Sequence, residues 1–243
     1  MMTLTRLSFF IWITVFTLSA VGAQEMVCNN FEGIIEPSET VEISSEVEGV
    51  IDRIHADRGN WVKAGDLVAT LKSRVEKAAV ELAKARVEFE KRKDARKLEL
   101  FKKKLISIHE KDELETEILL AELALDEAEE RLAQRMLRTP VSGVVVERHL
   151  SPGEHINKDA VMTVARINPL YVEIVVPVEC YGKIKLGQSA LALVEHPFKK
   201  RLKCRVIVVD RVVDAASATF NVRLRLDNPG GKLPAGLKCT VQF

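Results

Sequence analysis

Residues Ser73–Arg138 read SRVEKAAVELAKARVEFEKRKDARKLELFKKKLISIHEKDELETEILLAELALDEAEERLAQRMLR. The stretch contains no Gly and no Pro. In its first half, apolar residues fall at Val75, Ala78, Leu82, Ala85 and Phe89, three and four apart. In its second half they fall at Leu114, Ile118, Ala121, Leu125, Ala128 and Leu132. Such alternation is the a/d seam of a coiled coil, with Glu, Lys and Arg filling the other faces. One narrow seam per arm is satisfied by a single partner helix. The pattern therefore predicts an antiparallel coiled-coil hairpin over residues 72–138, closed on itself. Residues 73–104 as one helix would reach roughly 48 Å at 1.5 Å per residue, so the hairpin should project from the rest of the chain.

On either side of this stretch one short β motif occurs twice, 94 positions apart and without a gap. Val47-Glu48-Gly49-Val50 matches Val141-Ser142-Gly143-Val144; His55 matches His149, Gly59 matches Gly153, and Val62 matches Ile156. A fixed-offset repeat reports architecture. Each copy has too little apolar surface to fold alone, so the copies should pack together as one sandwich of two halves, residues 42–71 and 139–167. Gly59 and Gly153 are expected in tight turns that need a positive φ. Gly49 and Gly143 precede apolar strands, where a bend or close approach is expected.

The outer segments complete the plan. Residues 1–23 have the pattern of a signal peptide: Arg6, an apolar run over Leu7–Leu18, and Val21-Gly22-Ala23 before Gln24. An uncleaved anchor is the alternative, and the apolar run is short for spanning a bilayer. Residues 24–41 read as an extended, irregular lead-in. Residues 168–243 read as several short strands separated by turn chemistry at Asp214-Ala215-Ala216-Ser217 and Asn228-Pro229-Gly230-Gly231, which indicates a small β-barrel. The fold class is mainly β with a long helical hairpin. Formal net charge is +1, with 29% charged and 5% aromatic residues. That balance argues against nucleic acid as a partner. Cys28, Cys180, Cys204 and Cys239 allow three disulfide pairings, and their spacing does not choose among them. His55, His109, His149, His155 and His196 stand in no metal-binding spacing, and no phosphate loop or nucleophile elbow appears. No enzymatic activity and no cofactor are expected.

The order of half-motif, helical hairpin, half-motif and barrel resembles the periplasmic adaptors of tripartite efflux pumps, the membrane fusion proteins of the HlyD-like family. The runs that carry the likeness are Val41-Glu42-Ile43-Ser44-Ser45-Glu46-Val47-Glu48-Gly49-Val50-Ile51, Leu137-Arg138-Thr139-Pro140-Val141-Ser142-Gly143-Val144-Val145 and Leu233-Pro234-Ala235-Gly236-Leu237. The resemblance implies a split lipoyl-like (barrel-sandwich hybrid) module and a periplasmic protein associated with the inner membrane. It implies a bridge between an inner-membrane transporter, of RND or ABC type, and a TolC-like outer-membrane channel. It also implies self-association into a ring, commonly a hexamer, in which the charged outer faces of the arms would make polar lateral contacts. The membrane-proximal β domain of many relatives is not apparent in residues 1–243.

Arg96, Leu100 and Ser107 hold the spacing found at the hairpin tip of adaptors that dock on TolC-like channels. There Arg can bond backbone or carboxylate groups, Leu can anchor, and Ser107 with Glu110 can form a capping box. Two other readings stay open. A lipoyl or biotin carrier would share the sandwich but present a modified Lys at the turn between the halves. A structural coiled-coil scaffold would need no partner at the tip.

Overall fold

The computed structural model describes residues 28–102, 107–157, 159–194 and 198–243, residues 100–102 by backbone alone. The candidate leader, residues 1–23, therefore lies outside the described residues. Two long strands run the length of the β architecture: β1 (Asn30–Ser44) and β8 (Ala160–Pro177). They pair antiparallel from Gly33–Ile174 to Ser44–Ala160. At one end they belong to a barrel, at the other to a sandwich.

The barrel is a closed ring of six strands. Its order is β1, β12 (Lys238–Gln242), β9 (Ser189–Val194), β10 (Lys200–Val209), β11 (Thr219–Leu226) and β8, and the β1–β8 pairing closes it. Strict alternation along β11, with Phe220, Val222, Leu224 and Leu226 buried and the residues between them outside, is the period-two signature of a sheet with one wet face. Cys28 and Cys180 form a disulfide, with Cα atoms 5.9 Å apart, while Cys204 and Cys239 are free and buried. Burial pushes both free thiols up to about 11.

In the sandwich, β1 and β8 are joined by β6 (Gly143–Arg148) and β3 (Trp61–Val62). The facing sheet holds β5 (Met136–Arg138), β4 (Leu67–Leu71), β2 (Gly49–Ile54) and β7 (His155–Ile156). Ile43, Ile51, Val68, Val145, Ile156 and Val164 fill the space between them. The repeat appears as a pseudo-twofold relation. Gly59 N–H donates to Val145 O at 2.8 Å, and Gly153 N–H donates to Ile51 O at 2.8 Å. Gly49 pairs with Ile156, and Gly143 pairs with Val62. Each half thus lends its turn glycine to a strand of the other.

The lead-in is not irregular. From Asn30 it is part of β1, because β12 and β8 supply both hydrogen-bonding partners. Pro37 is accommodated next to a register shift between Pro37 and Glu39, a place where a missing N–H costs little. At the same level the two modules are braced. Asn228, buried, donates through Nδ2 to Ile167 O (2.9 Å) and Leu233 O (2.8 Å) and accepts from Leu233 N–H (3.0 Å). Gly231 lies so close to the Trp61 ring that a Cβ there would collide with it.

Between β4 and β5 the chain forms α1 (Arg74–Lys102) and α2 (Ile108–Ala133). Ion pairs Lys84–Glu129 (3.6 Å), Lys91–Glu122 (2.7 Å) and Lys93–Glu117 show the helices running antiparallel along each other. On α2 the inward face is Leu114, Ile118, Ala121, Leu125, Ala128 and Leu132, as the spacing predicts. On α1 the expected face is wrong. Val75, Ala78, Leu82, Ala85 and Phe89 are exposed, and Val80, Val87 and Glu90 are buried instead. The helix carries two 3-4 stripes, and electrostatics separates them. With Val80 and Val87 inward, Lys84, Lys91 and Lys93 meet acidic partners on α2. Glu90 is tolerated inside because Arg86 (3.6 Å) and Lys93 (3.3 Å) neutralise it.

Candidate functional site

The residues singled out for docking collect at the end of the helix pair remote from the sandwich. Arg96 is exposed near the end of α1. Leu100 is in the last turn of α1, and its side chain lies outside the described residues, as do residues 103–106. Ser107 starts α2. Its Oγ accepts from Glu110 N–H at 3.2 Å, and its own N–H donates to Glu110 Oε2 at 2.8 Å, a reciprocal capping box. Donation from the Ser107 N–H and hydroxyl holds the Glu110 carboxyl below its ordinary value, with a smaller contribution from Lys97 across the pair. The ends of α1 and α2 therefore meet, and Arg96 and Ser107 share one end of the rod. Around them stand Leu98 and Ile108, both exposed, the latter at 61%.

Deeper along the rod the contact between the helices is polar. Lys93 lies between Glu90 and Glu117. Its hydrogen bond to Glu117 raises the Lys93 pKa, and the same bond lowers that of Glu117.

The outer surface of the helix pair holds features that sequence spacing misassigned. Val75 (79% exposed), Leu82 (74%) and Phe89 (51%) form a heptad-spaced stripe on α1 with no partner among the described residues. Leu119, Leu120 and Leu123 are exposed on α2. The outer face of α1 thus carries an apolar stripe within a charged surround that includes Arg74, Lys77, Glu81, Arg86, Glu88 and Arg92. Periodicity alone does not find the buried face, because the exposed stripe is the more apolar of the two.

The repeat glycines sit at defined backbone positions. Gly59 and Gly153 have φ of 87° and 92° in their turns, a region costly for other residues. Gly143 faces the Ala165 carbonyl so closely that any Cβ would overlap it. Gly49 leaves room for the Arg135 guanidinium, which donates to Glu48 O at 2.7 Å. Among the described residues, no group of three His, Cys, Asp or Glu is placed to hold a metal ion, and no helix is long and apolar enough to cross a membrane. His196 lies outside the described residues.

Two family models account for most of the described chain. Residues 39–166 match a CzcB-like barrel-sandwich hybrid domain, and residues 169–243 match a CusB-like β-barrel domain. Among curated relatives, the multidrug resistance protein MdtA of Xenorhabdus bovienii is 23% identical over 226 residues, 83% of this chain and 54% of that protein. MdtA of Pectobacterium carotovorum is 27% identical over 219 residues, 81% of this chain and 53% of that protein. The chain spans about half the length of the curated relatives it matches. Among solved structures, a MacA–MexA chimera containing the Pseudomonas aeruginosa MexA α-hairpin superposes with TM-score 0.75 at 21% identity, covering 88% of this chain and 81% of that one. An efflux transporter described as putative, from Bacteroides eggerthii, superposes with TM-score 0.69 at 18% identity, covering 87% and 67%. At these identities the superpositions speak to fold. The family models carry the assignment: this chain belongs to the membrane fusion proteins, with a CzcB-like barrel-sandwich hybrid domain followed by a CusB-like β-barrel domain.

Proposed function

We propose that this protein is the periplasmic adaptor of a tripartite efflux pump, linking an inner-membrane transporter to a TolC-like outer-membrane channel. The observation that carries the reading is the helix pair. Its α1–α2 end presents Arg96 and the Ser107–Glu110 cap away from both β modules. In this reading α1 and α2 form a coiled-coil hairpin (72–138), residues 42–71 and 139–167 form the lipoyl-like module that anchors it, residues 168–243 form the barrel, and residues 1–23 direct export. An RND-type transporter is favoured over an ABC type, and the match of the barrel to a CusB-like model supports it.

Ring formation, commonly as a hexamer, belongs to the same reading. The apolar stripe of α1 and the exposed leucines of α2 would be covered by neighbouring copies. α2 is overwhelmingly acidic, with Lys111 and Arg131 its only Lys or Arg, whereas Lys and Arg predominate on α1. Contact between α1 of one copy and α2 of the next would join unlike charges.

The tip is tested by Arg96→Asp and Leu100→Asp in an efflux assay with the cognate transporter and channel. Both should abolish export, the first by reversing charge and the second by placing an unpaired carboxylate in the contact. Melting temperatures should stay within a few degrees of the parent, since both residues lie at the rod's end. Ser107→Ala is less clean, because loss of the cap alone costs about 1 kcal/mol. Normal export by both Asp variants at parental expression would remove these residues from channel docking.

A further inference from the structure

Two short linkers carry the helix pair. Lys72 and Ser73 join β4 to α1, and Gln134 and Arg135 join α2 to β5. Leu71 N–H donates to Arg135 O at 2.9 Å, and Lys72 N–H donates to Val50 O at 2.9 Å. These backbone bonds hold the linkers to the sandwich and leave the helices themselves untouched. Short connections at the root of a long element are where a hinge belongs. At 1.5 Å per residue the 29 residues of α1 reach about 43 Å, so a tilt of about 20° at the root would carry the tip through about 15 Å.

One side chain spans this root. The Arg135 guanidinium donates through Nη1 to Glu48 O at 2.7 Å, and its Nη2 lies 2.8 Å from Glu76 Oε1. Glu48 stands just before β2 of the sandwich, and Glu76 is in the first turn of α1. Arg135 itself follows the end of α2, where its N–H donates to Leu132 O at 3.1 Å. One planar fork thus joins both helices to the sandwich, through one charged and one neutral acceptor. Among the described residues, no other side chain is hydrogen-bonded or ion-paired between helix and sandwich. The Arg135 and Glu76 side chains are only 22% and 18% exposed, so their attraction is less screened than that of Lys84–Glu129 or Lys91–Glu122.

Gly49 leaves the space the fork occupies. A Cβ there would lie 2.8 Å from Arg135 Nη1, and the next atom, Leu71 Cδ1, would be 3.2 Å away. Unlike Gly59 and Gly153, Gly49 has no positive φ. Room for the guanidinium, and not backbone conformation, is what a side chain at this position would remove.

We propose that Arg135 is a positioning residue: its fork latches the root of the helix pair to the sandwich and fixes the direction in which the rod points. The proposal rests on the adaptor reading in one respect, that a rod must be aimed to reach a channel. Arg135→Lys keeps the charge but loses the planar fork that serves two acceptors at once.

The test uses the exported full chain. Spin labels on genetically encoded residues at Lys63 of the sandwich and Leu98 of the rod, both exposed, leave the cysteines untouched. Double electron–electron resonance then reads the distance distribution, and the parent should show one narrow peak. Arg135→Met and Gly49→Ala should each spread that peak by up to about 15 Å, the tip displacement above, with helix content and melting profile retained. Arg135→Lys should fall between the parent and Arg135→Met. Gly49→Ala leaves both charged residues in place and displaces the guanidinium, so it decides the matter if Arg135→Met does not fold. A parental peak in both variants would overturn the latch, as would spreading that comes only with loss of the sandwich melt. The distance measurement needs no transporter or channel. Export by the same variants, with the cognate partners, should fall although Arg96, Leu100 and Ser107 are intact. Unchanged export despite a spread peak would overturn the positioning role, whereas no export by the parent would instead remove the adaptor reading.

Discussion

Gly143 shows how one missing side chain controls the sandwich. It is equivalent to Gly49 in the repeat, but the two are glycine for different reasons. Gly49 makes space for Arg135, while Gly143 makes space for the backbone of Ala165, which cannot move without shifting β8. Gly143→Ala should cost about 1–3 kcal/mol through overpacking. Gly59→Ala meets open space and pays only for its φ of 87°, about 1 kcal/mol. Denaturant melts of the two variants should show Gly143→Ala as the more destabilised. The reverse order would mean that β8 yields readily at Ala165.

At the scale of the element, α1 is the instructive case. Its exposed stripe, Val75, Ala78, Leu82, Ala85 and Phe89, is more apolar than the inward one, Val80, Ala83, Val87 and Glu90, so periodicity alone selects the wrong face. What separates them is the partner: lysines at 84, 91 and 93 find Glu129, Glu122 and Glu117 in only one rotation of the helix. Individually such exposed pairs contribute little, but three of them in register accompany the burial of Val80 and Val87 and the half-burial of Ala83. The consequence is measurable. Val87→Asp should destabilise the helix pair by about 2–3 kcal/mol, because Val87 is 7% exposed. Leu82→Asp should leave an isolated copy unchanged, because Leu82 is 74% exposed. Far-ultraviolet circular dichroism on dilute protein would read both melts. Equal loss in the two variants would contradict the observed rotation.

For the whole molecule, the connection that matters is between the start of β1 and the barrel. β1 closes the barrel and continues into the sandwich, so any loosening of its first residues propagates to both modules. The Cys28–Cys180 bridge links positions 152 residues apart, and closing so long a loop removes much freedom from the unfolded chain. The Cys28→Ala/Cys180→Ala double variant should lose about 2–5 kcal/mol. Its Phe31 amide, in a bonded pair with Val241 of β12, should lose protection in hydrogen exchange before the amides of β11. Uniform loss of protection across the barrel would show that the bridge does not act locally on β1.

The plan of parts was legible along the chain. The 94-residue repeat, the Gly-free helical stretch and the turn chemistry after residue 168 are local or periodic signals, and each is written where it acts. The inward face of α2 was legible because it has one apolar stripe. Three matters were decided only by tertiary structure. α1 had two stripes, and its choice depended on charges carried by α2. The lead-in looked irregular because Gly33 and Pro37 are poor strand residues alone, and β12 and β8 override that preference by supplying ladders on both sides. The cysteine pairing needed the spatial meeting of Cys28 with the turn after β8. In each case the deciding partner lies far away along the chain, and no local pattern reports it.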